Sequence, residues 1–347
     1  KMKKVITVFL TMLMCASVFA GCGSETAEPK KEETTTEVAA EETAPETKET
    51  SEKKEETKPE AAEEAKLESV TFTDSNGKEQ TIKCNPERVV CVYESFVDLW
   101  ASSGGSLVAR VEKSMPVPEN VKDADVIGTA ADVSLEKILE YDPDLVILTA
   151  GNKGNMDMIP VFEENGIDYI SLAYKNFDGY LEVMDIFTKL NNRPDLYDEL
   201  AGKNAEIIAD ITEKVSSAKP AEVLLLMPNA TKGTHVMNFN STLGSMLQDL
   251  GAINLGFKDG EEGDNYIMSM EAIIEMDPQY IISFGGGDAA KAAEILGSDP
   301  LWGELTAVKE GRYHHMPTEL YMNKPNHRYG EAYANLAKLI YPEVFAD

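Results

Sequence analysis

The chain has 347 residues and carries 61 acidic against 32 basic side chains, a formal net charge of −29. That excess of negative charge excludes unaided binding to nucleic acid and repels anionic lipid headgroups. The length allows two core-forming lobes in addition to leader and linker segments.

In chain order, Lys1, Lys3 and Lys4 give a positive start, and residues 5–20 form an uncharged apolar run. Sixteen residues are too few to span a bilayer comfortably and suit the apolar region of a secretory signal. The run ends Phe19-Ala20-Gly21-Cys22, which resembles a bacterial lipobox with Phe19 where an aliphatic residue is usual. Residues 1–22 are therefore expected to be a lipoprotein signal ending on a lipidated Cys22, which anchors the chain to the extracellular face of the cell membrane. An ordinary secretory leader with an incidental cysteine is the alternative. Residues 23–66 hold fifteen Glu, seven Lys and no aromatic residue. A segment of this composition buries too little apolar surface to offset its ordering entropy, so it is expected to be an extended, acidic tether. Subtracting the +3 of the signal and the −8 of the tether from −29 leaves −24 for the rest. The lipid, not charge, must hold such a domain at a membrane.

The remaining residues read as α/β. A hairpin is predicted over 70–73 and 80–83, turning at Asp74-Ser75-Asn76-Gly77. Unbroken apolar runs at 88–93, 107–111, 125–127, 145–148 and 168–172 read as strands covered on both faces, hence parallel. From 179 to 217 the period is helical, interrupted near Asn192-Arg193-Pro194. The long stretch 194–215, with Pro194 at its start, predicts a connecting helix. A second lobe opens with a strand at 222–226. The predicted divisions are an N-terminal lobe over 67–192, the connecting helix over 193–217 and a C-terminal lobe over 218–347.

An internal repeat supports two similar lobes. Residues 134–151, SLEKILEYDPDLVILTAG, align without a gap with residues 269–286, SMEAIIEMDPQYIISFGG, and eight of eighteen positions are identical. An offset of 135 is too long for a solenoid. In each copy the serine caps a helix, the glutamate two places on complements the helix dipole, and Asp-Pro ends the helix before a short apolar strand. The fold class is therefore α/β: two parallel-sheet, Rossmann-like lobes bridged by a long helix.

Of the cysteines, Cys84 and Cys91 flank Asn85-Pro86 and allow either a local disulfide or two buried thiols. No CxxC or HExxH pattern is present, so no structural metal is expected.

The sequence resembles the helix-linked binding proteins of ABC importers for ferric siderophores, haem and cobalamin. The resemblance rests on Pro86-Glu87-Arg88-Val89-Val90, the SLEKILEYDPDLVI block, Ser241-Thr242-Leu243-Gly244 through Leu250-Gly251-Ala252, and Tyr341-Pro342-Glu343. It implies a rigid monomer, not an enzyme, that needs no cofactor. It would hold a small-molecule iron complex between its lobes and pass it to a permease, with Glu136 and Glu271 docking to that permease. Each glutamate also complements its own helix dipole, and the two roles are compatible.

Ligands of open α/β sheets lie outside the carboxyl ends of the strands. This nominates Tyr93, Glu94 and Ser95 after the first parallel strand, Gly128 and Thr129 after the third, Lys153 and Asn155 after the fourth, and Tyr174 after the fifth. In the second lobe it nominates Asn229, Lys232, His235, Met237 and Asn238, then Phe284 and Gly285, then Tyr321. Tyr93 opposite His235 or Met237 would suit a haem iron; a solvated His235 and a core Met237 are the plainer reading. His314 and His315 are adjacent and on a strand would face opposite ways, so they cannot chelate one ion together. Only five arginines are present, which suits a neutral or cationic complex, or a corrinoid, better than a multiply anionic catecholate. Gly285-Gly286-Gly287-Asp288-Ala289-Ala290 satisfies a weak dinucleotide pattern, but an exported protein has no nicotinamide supply. Its glycines are expected to let a ligand approach the backbone. No nucleophile–base pair is recognisable. A purely adhesive surface protein would have no use for the duplicated unit.

Overall fold

Residues 66–113, 116–257 and 263–346 are described in a computed structural model of the chain. The expected signal, Cys22 and all of the expected tether except Lys66 lie outside these residues. Among the described residues no helix is long and apolar enough to cross a membrane.

The hairpin pairs Ser69–Thr73 with Glu79–Lys83. Its turn is organised by Asp74, whose carboxylate accepts from the amides of Asn76 and Lys78. A five-stranded sheet follows, in the order Asp125–Val126, Ala109–Arg110, Val89–Cys91, Leu145–Thr149, Asp168–Leu172, and every pairing is parallel.

The second sheet runs Tyr266–Ile267, His235–Val236, Glu222–Met227, Tyr280–Phe284, Tyr313–Met316, with Ile253–Asn254 also paired to Glu222–Met227. Its centre is parallel, as expected, but His235–Val236 is antiparallel to both of its neighbours. The antiparallel edge adds to the parallel centre that the apolar runs indicated. Only residues 228–234 join Glu222–Met227 to His235–Val236, too few for the crossover a parallel return requires.

Side chains alternate across each strand between two buried clusters. Leu145 and Ile147 face an inner core, and Val146 and Leu148 an outer one. In the second sheet Val223 and Leu225 face that same inner core, and Leu224 and Leu226 a separate outer one. The central strands of each sheet are covered on both faces, which is why they read as unbroken apolar runs. The inner core is continuous between the sheets, and residues 63–347 form one compact unit.

The connecting segment 194–215 is helical throughout but not uniformly α. Pro194–Tyr197 and Lys203–Val215 are α-helical, and Asp198–Gly202 between them is a π turn. At that widened turn the carbonyl of Leu200 accepts from the hydroxyl of Tyr180 and the amide of Asn204. Asn204 also ties this helix to Tyr329–Ile340: its side-chain oxygen accepts from Gly330 N at 2.6 Å and its amide donates to His327 O at 3.0 Å. Close by, an aromatic seam joins Phe177 and Tyr180 to Tyr329, with ring centroids 5.1–5.2 Å apart.

Both paired repeats follow one scheme. Ser134 caps Leu135–Leu139 and Ser269 caps Met270–Met276, each hydroxyl accepting from an amide three residues on. Asp142 and Asp277 then adopt left-handed backbone, with φ of 46° and 44°, and turn the chain into Leu145–Thr149 and Tyr280–Phe284. Cys84 and Cys91 are free, buried thiols. Burial pushes the Cys91 thiol up to about 12, so it stays protonated at neutral pH.

Replacing Asn204 with alanine should strand the Gly330 amide and destabilise the fold by about 2 kcal/mol. The check is a lower urea midpoint with an unchanged slope.

Candidate functional site

Loops from the two sheets meet around a cavity of about 460 Å³. The first sheet contributes Tyr93, Glu94, Ser95, Asp98, Lys113 and Ala130, and the second contributes residues 322–328. The strand Val89–Cys91 ends at Tyr93, which keeps extended backbone and starts the helix Glu94–Ser102. The Tyr93 carbonyl accepts from the amides of Phe96 and Val97. Its ring lies edge-on to Phe96 at 5.0 Å, which fixes its position at the cavity wall.

A chain of polar contacts crosses the cleft at its inner edge. Asn326 is buried and left-handed, with φ of 51°. Its side-chain oxygen accepts from the Tyr174 hydroxyl at 2.6 Å. Its amide donates to Ser95 O and to the Asp98 carboxylate, both at 3.4 Å. Asp98 in turn pairs with Lys113 at 3.2 Å, and the Lys113 side chain is only 2% exposed. Burial raises the Asp98 carboxyl above its ordinary value, while Lys113 opposes the shift.

Tyr174 also lines a second inter-sheet cavity of about 520 Å³, with Lys175, Asn240 and Ser241. The Tyr174–Asn326 hydrogen bond therefore forms part of the wall between the two cavities. Lys324, on the front cavity, lies 4.9 Å from the centre of the Tyr174 ring and donates to the Thr242 hydroxyl at 3.2 Å. Burial, reinforced by the charge of Lys175, lowers the Lys324 ammonium to about 8.

Of the residues nominated from strand ends, Tyr93, Glu94 and Ser95 line the front cavity and Tyr174 the rear one. Gly285 adjoins Met322, whose sulfur would lie 3.3 Å from a Cβ at that glycine. Gly128 and Thr129 pair with Asp132–Val133 and leave the neighbouring Ala130 to line the cavity. Lys153 points to solvent in an ion pair with Asp157, and Asn155 is buried under the first turn of Lys153–Asn165. Asn229 closes a local turn by accepting from the amides of Thr231 and Lys232. His235 contacts the carbonyl of Gly233, and Asn238 donates to that of Gly263.

Met237 follows the core reading given for it, and two further nominations require correction. Met237, Phe284 and Tyr321 are buried in the inner core, and the Tyr321 hydroxyl is taken by Ala332 O. Met237 follows a strand, Phe284 ends one and Tyr321 ends a short helix, yet each packs inward against the apolar inner core. Met237 is thus not placed to clamp an iron opposite Tyr93. The glycine run is also reassigned: a Cβ on Gly286 would fall 2.4 Å from the Pro228 carbonyl, so the close approach there is to the chain's own backbone.

Asp98, Lys113, Lys324 and Asn326 escaped the sequence reading: Asp98 lies inside the helix Glu94–Ser102, Lys113 follows the one run, 107–111, whose end was given no candidate, and Lys324 and Asn326 follow no apolar run. The local signal at Asn326 is its place after Pro325, since asparagine tolerates left-handed turns. Among the described residues no cluster of three or more His, Cys, Asp or Glu could hold a metal ion.

The signature of the periplasmic binding protein family matches residues 89–320. The chain belongs to the periplasmic binding protein family. It is 25% identical over 273 residues to YhfQ of Bacillus subtilis (strain 168), named as an ABC transporter substrate-binding lipoprotein; the match covers 73% of this chain and 82% of that protein. Solved structures share the fold. An ABC transporter substrate-binding protein from Listeria monocytogenes EGD-e matches with a TM-score of 0.62 at 18% identity, over 74% of this chain and 98% of that one. Helicobacter pylori CeuE with Ni(II) bound matches at 0.61 and 19% identity, over 80% and 90%. IsdE of S. aureus complexed with haem matches at 0.58 and 17% identity, over 73% and 98%. As a periplasmic binding protein the chain is a solute-binding component of an ABC transporter, not an enzyme, and its partners are a small-molecule ligand and a permease.

Lys324 makes this binding protein's stability depend on pH. The unfolded chain keeps the lysine proton up to its ordinary 10.5, while the folded chain releases it near 8. Between those values the unfolded state binds more protons, so this group's contribution to stability rises with pH across the window. Lys324→Met should therefore melt higher than the parent at pH 7, and the advantage should shrink by pH 10.5. Thermal melts across that range check it.

Proposed function

We propose that this periplasmic binding protein is a lipid-anchored extracellular receptor that captures a ferric siderophore of low net charge and hands it to its permease. The observation that carries this reading is the cavity between the sheets, walled by Tyr93 and Ser95 on one side and Met322 and Asn326 on the other. Its volume of about 460 Å³ falls within the range of small-molecule sites. Its charges are nearly balanced: Lys113, Lys324 and Arg328 stand against Glu94, Asp98 and Glu319. The single arginine among them is engaged by Glu331 in two contacts of 2.7 Å, and Lys113 by Asp98. A multiply anionic catecholate complex would demand arginines with open valence, whereas a ferric hydroxamate would not. Haem or cobalamin is the second reading, supported by the aromatic ring of Tyr93 and the exposed thioether of Met322 on opposing walls.

Calorimetric titration of residues 67–347 with a ferric hydroxamate, a ferric catecholate, haem and cobalamin tests this. Saturable heat with the hydroxamate alone is expected; saturation by haem or cobalamin would move the assignment to the second reading. Tryptophan quenching is a poor substitute, because Trp100 is enclosed in the inner core and Trp302 lies in a different cavity. Tyr93→Ala should weaken binding about ten-fold or more. Unchanged affinity in that variant would place the ligand elsewhere.

Glu136 and Glu271 are exposed in the first turns of their helices, and neither forms an ion pair among the described residues. Carboxylates so placed are available to basic groups on the permease as well as to their own helix dipoles. The Glu136→Ala, Glu271→Ala double variant should lose uptake while keeping ligand affinity. Loss of affinity in that variant would remove the docking assignment.

A further inference from the structure

A third cavity, of about 420 Å³, opens within the second half of the protein alone and shares no lining residue with the solute cleft. Its floor is the outer face of the second sheet, formed by Leu226 and Val236. Met270 and Ile273 wall it on one side, Ile295 on another, and Trp302 closes it, with its indole held edge-on to Tyr313 at 5.1 Å. The floor and these walls are apolar, with polar residues such as Thr234, Ser298 and Asp299 also in the lining, and the outer core already orders most of the apolar part, so a side chain entering it would cost little reorganisation.

Topology sets the direction in which the cavity faces. Tyr266–Ile267 is antiparallel to His235–Val236, which is antiparallel to Glu222–Met227, so Tyr266–Ile267 runs parallel to Tyr280–Phe284. The helix Met270–Met276 joins these two parallel strands and therefore runs back against them. Its start, with Glu271, lies at the carboxyl end of the sheet. The loop 228–234 leaves Glu222–Met227 at that same end, and it supplies Asn229, Ala230 and Gly233 to the cavity rim. Ile267, on the edge strand, is 57% exposed beside Gly233. The charged residues of the lining are Lys291, which is occupied by Glu294, and Asp299; Glu271, next in the chain to the lining residue Met270, forms no ion pair among the described residues. A socket with an apolar floor, an exposed isoleucine at its rim and the Glu271 carboxylate at the start of the helix that walls it fits a partner that presents an apolar side chain next to a basic one.

We propose that this cavity is a docking socket that receives an apolar side chain from an extracellular loop of the importer's permease, next to the basic group met by Glu271. The inference rests on the docking role assigned to Glu271 and adds to it an anchor of a different chemistry. Ionic contacts at an exposed rim steer and orient, and they are screened by salt. A desolvated apolar anchor slows dissociation and is not screened.

The test uses the full chain in cells that also make the importer, with a photo-crosslinking phenylalanine at Ala230 or at Ala272, both exposed. Light-dependent crosslinks from both positions to the permease, identified by mass, are expected. Crosslinking from Ala272 but not from Ala230 overturns the socket and leaves Glu271 docking in place. Crosslinking from neither removes both. A crosslink from Ala230 to a second copy of this chain overturns the proposal in favour of self-association. In parallel, Ala230→Trp, which plugs the rim, and Ile267→Lys, which sets a positive charge there, should each weaken binding to the importer in membrane discs about ten-fold, with unchanged melting temperatures. Parent-like binding by both well-folded variants would also overturn it.

Discussion

The two sheets do not have separate inner cores. Val89, Leu145 and Ile170 from one and Val223, Leu225 and Ile282 from the other belong to a single buried cluster, completed by helices from both halves. Drawing the sheets apart would return that apolar surface to water, and burial of such surface is the dominant favourable term in folding. The aromatic seam of Phe177, Tyr180 and Tyr329 and the Asn204–Gly330 contact bind the connecting segment into the same core. The architecture therefore resists hinge opening. A solute must be met by a groove that exists beforehand at the rim of the core, and little conformational work is left for binding.

That rim is polar, and its polar groups are joined in sequence. Lys113, Asp98, Asn326 and Tyr174 form one chain of contacts from the first sheet's loops, across the second's, and back. Buried carboxylate and ammonium groups are costly unless paired, and a satisfied network favours one arrangement over its alternatives. Ser95, Asp98, Lys113 and Asn326 belong both to this network and to the lining of the front cavity. Because the cationic groups are largely consumed by these internal partners, the cavity offers little free positive charge even though three basic side chains line it.

The outer layers differ in purpose from the inner one. The repeated helix–turn–strand unit presents a glutamate at the carboxyl end of each sheet, beyond a capped helix start. The left-handed aspartates at 142 and 277 explain why Asp-Pro persists in both copies: the turn needs a residue that tolerates positive φ, and the following proline prevents the helix from continuing.

Local patterns in the sequence determined the α/β class, the duplicated unit, the hairpin and most strands; Asp168–Leu172 falls where the apolar run placed it. They also marked Tyr93, Glu94 and Ser95, because a strand end followed by a helix start is itself a local signal. The helical period from 194 to 215 was legible, but the π turn at Asp198–Gly202 was not, since it is stabilised by Tyr180 and Asn204 reaching one carbonyl. The sequence likewise could not separate Phe284 and Tyr321, which turn inward, from loop residues that face the cleft. Nor could it join Asn326 to Tyr174 across 152 positions, or reveal that Lys113 is buried against Asp98. Periodicity and turn chemistry depend on neighbours within a few residues and so are written in the chain. Desolvation, hydrogen-bond partnership and cavity shape depend on what the fold brings together from distant segments, and only the tertiary structure decided them.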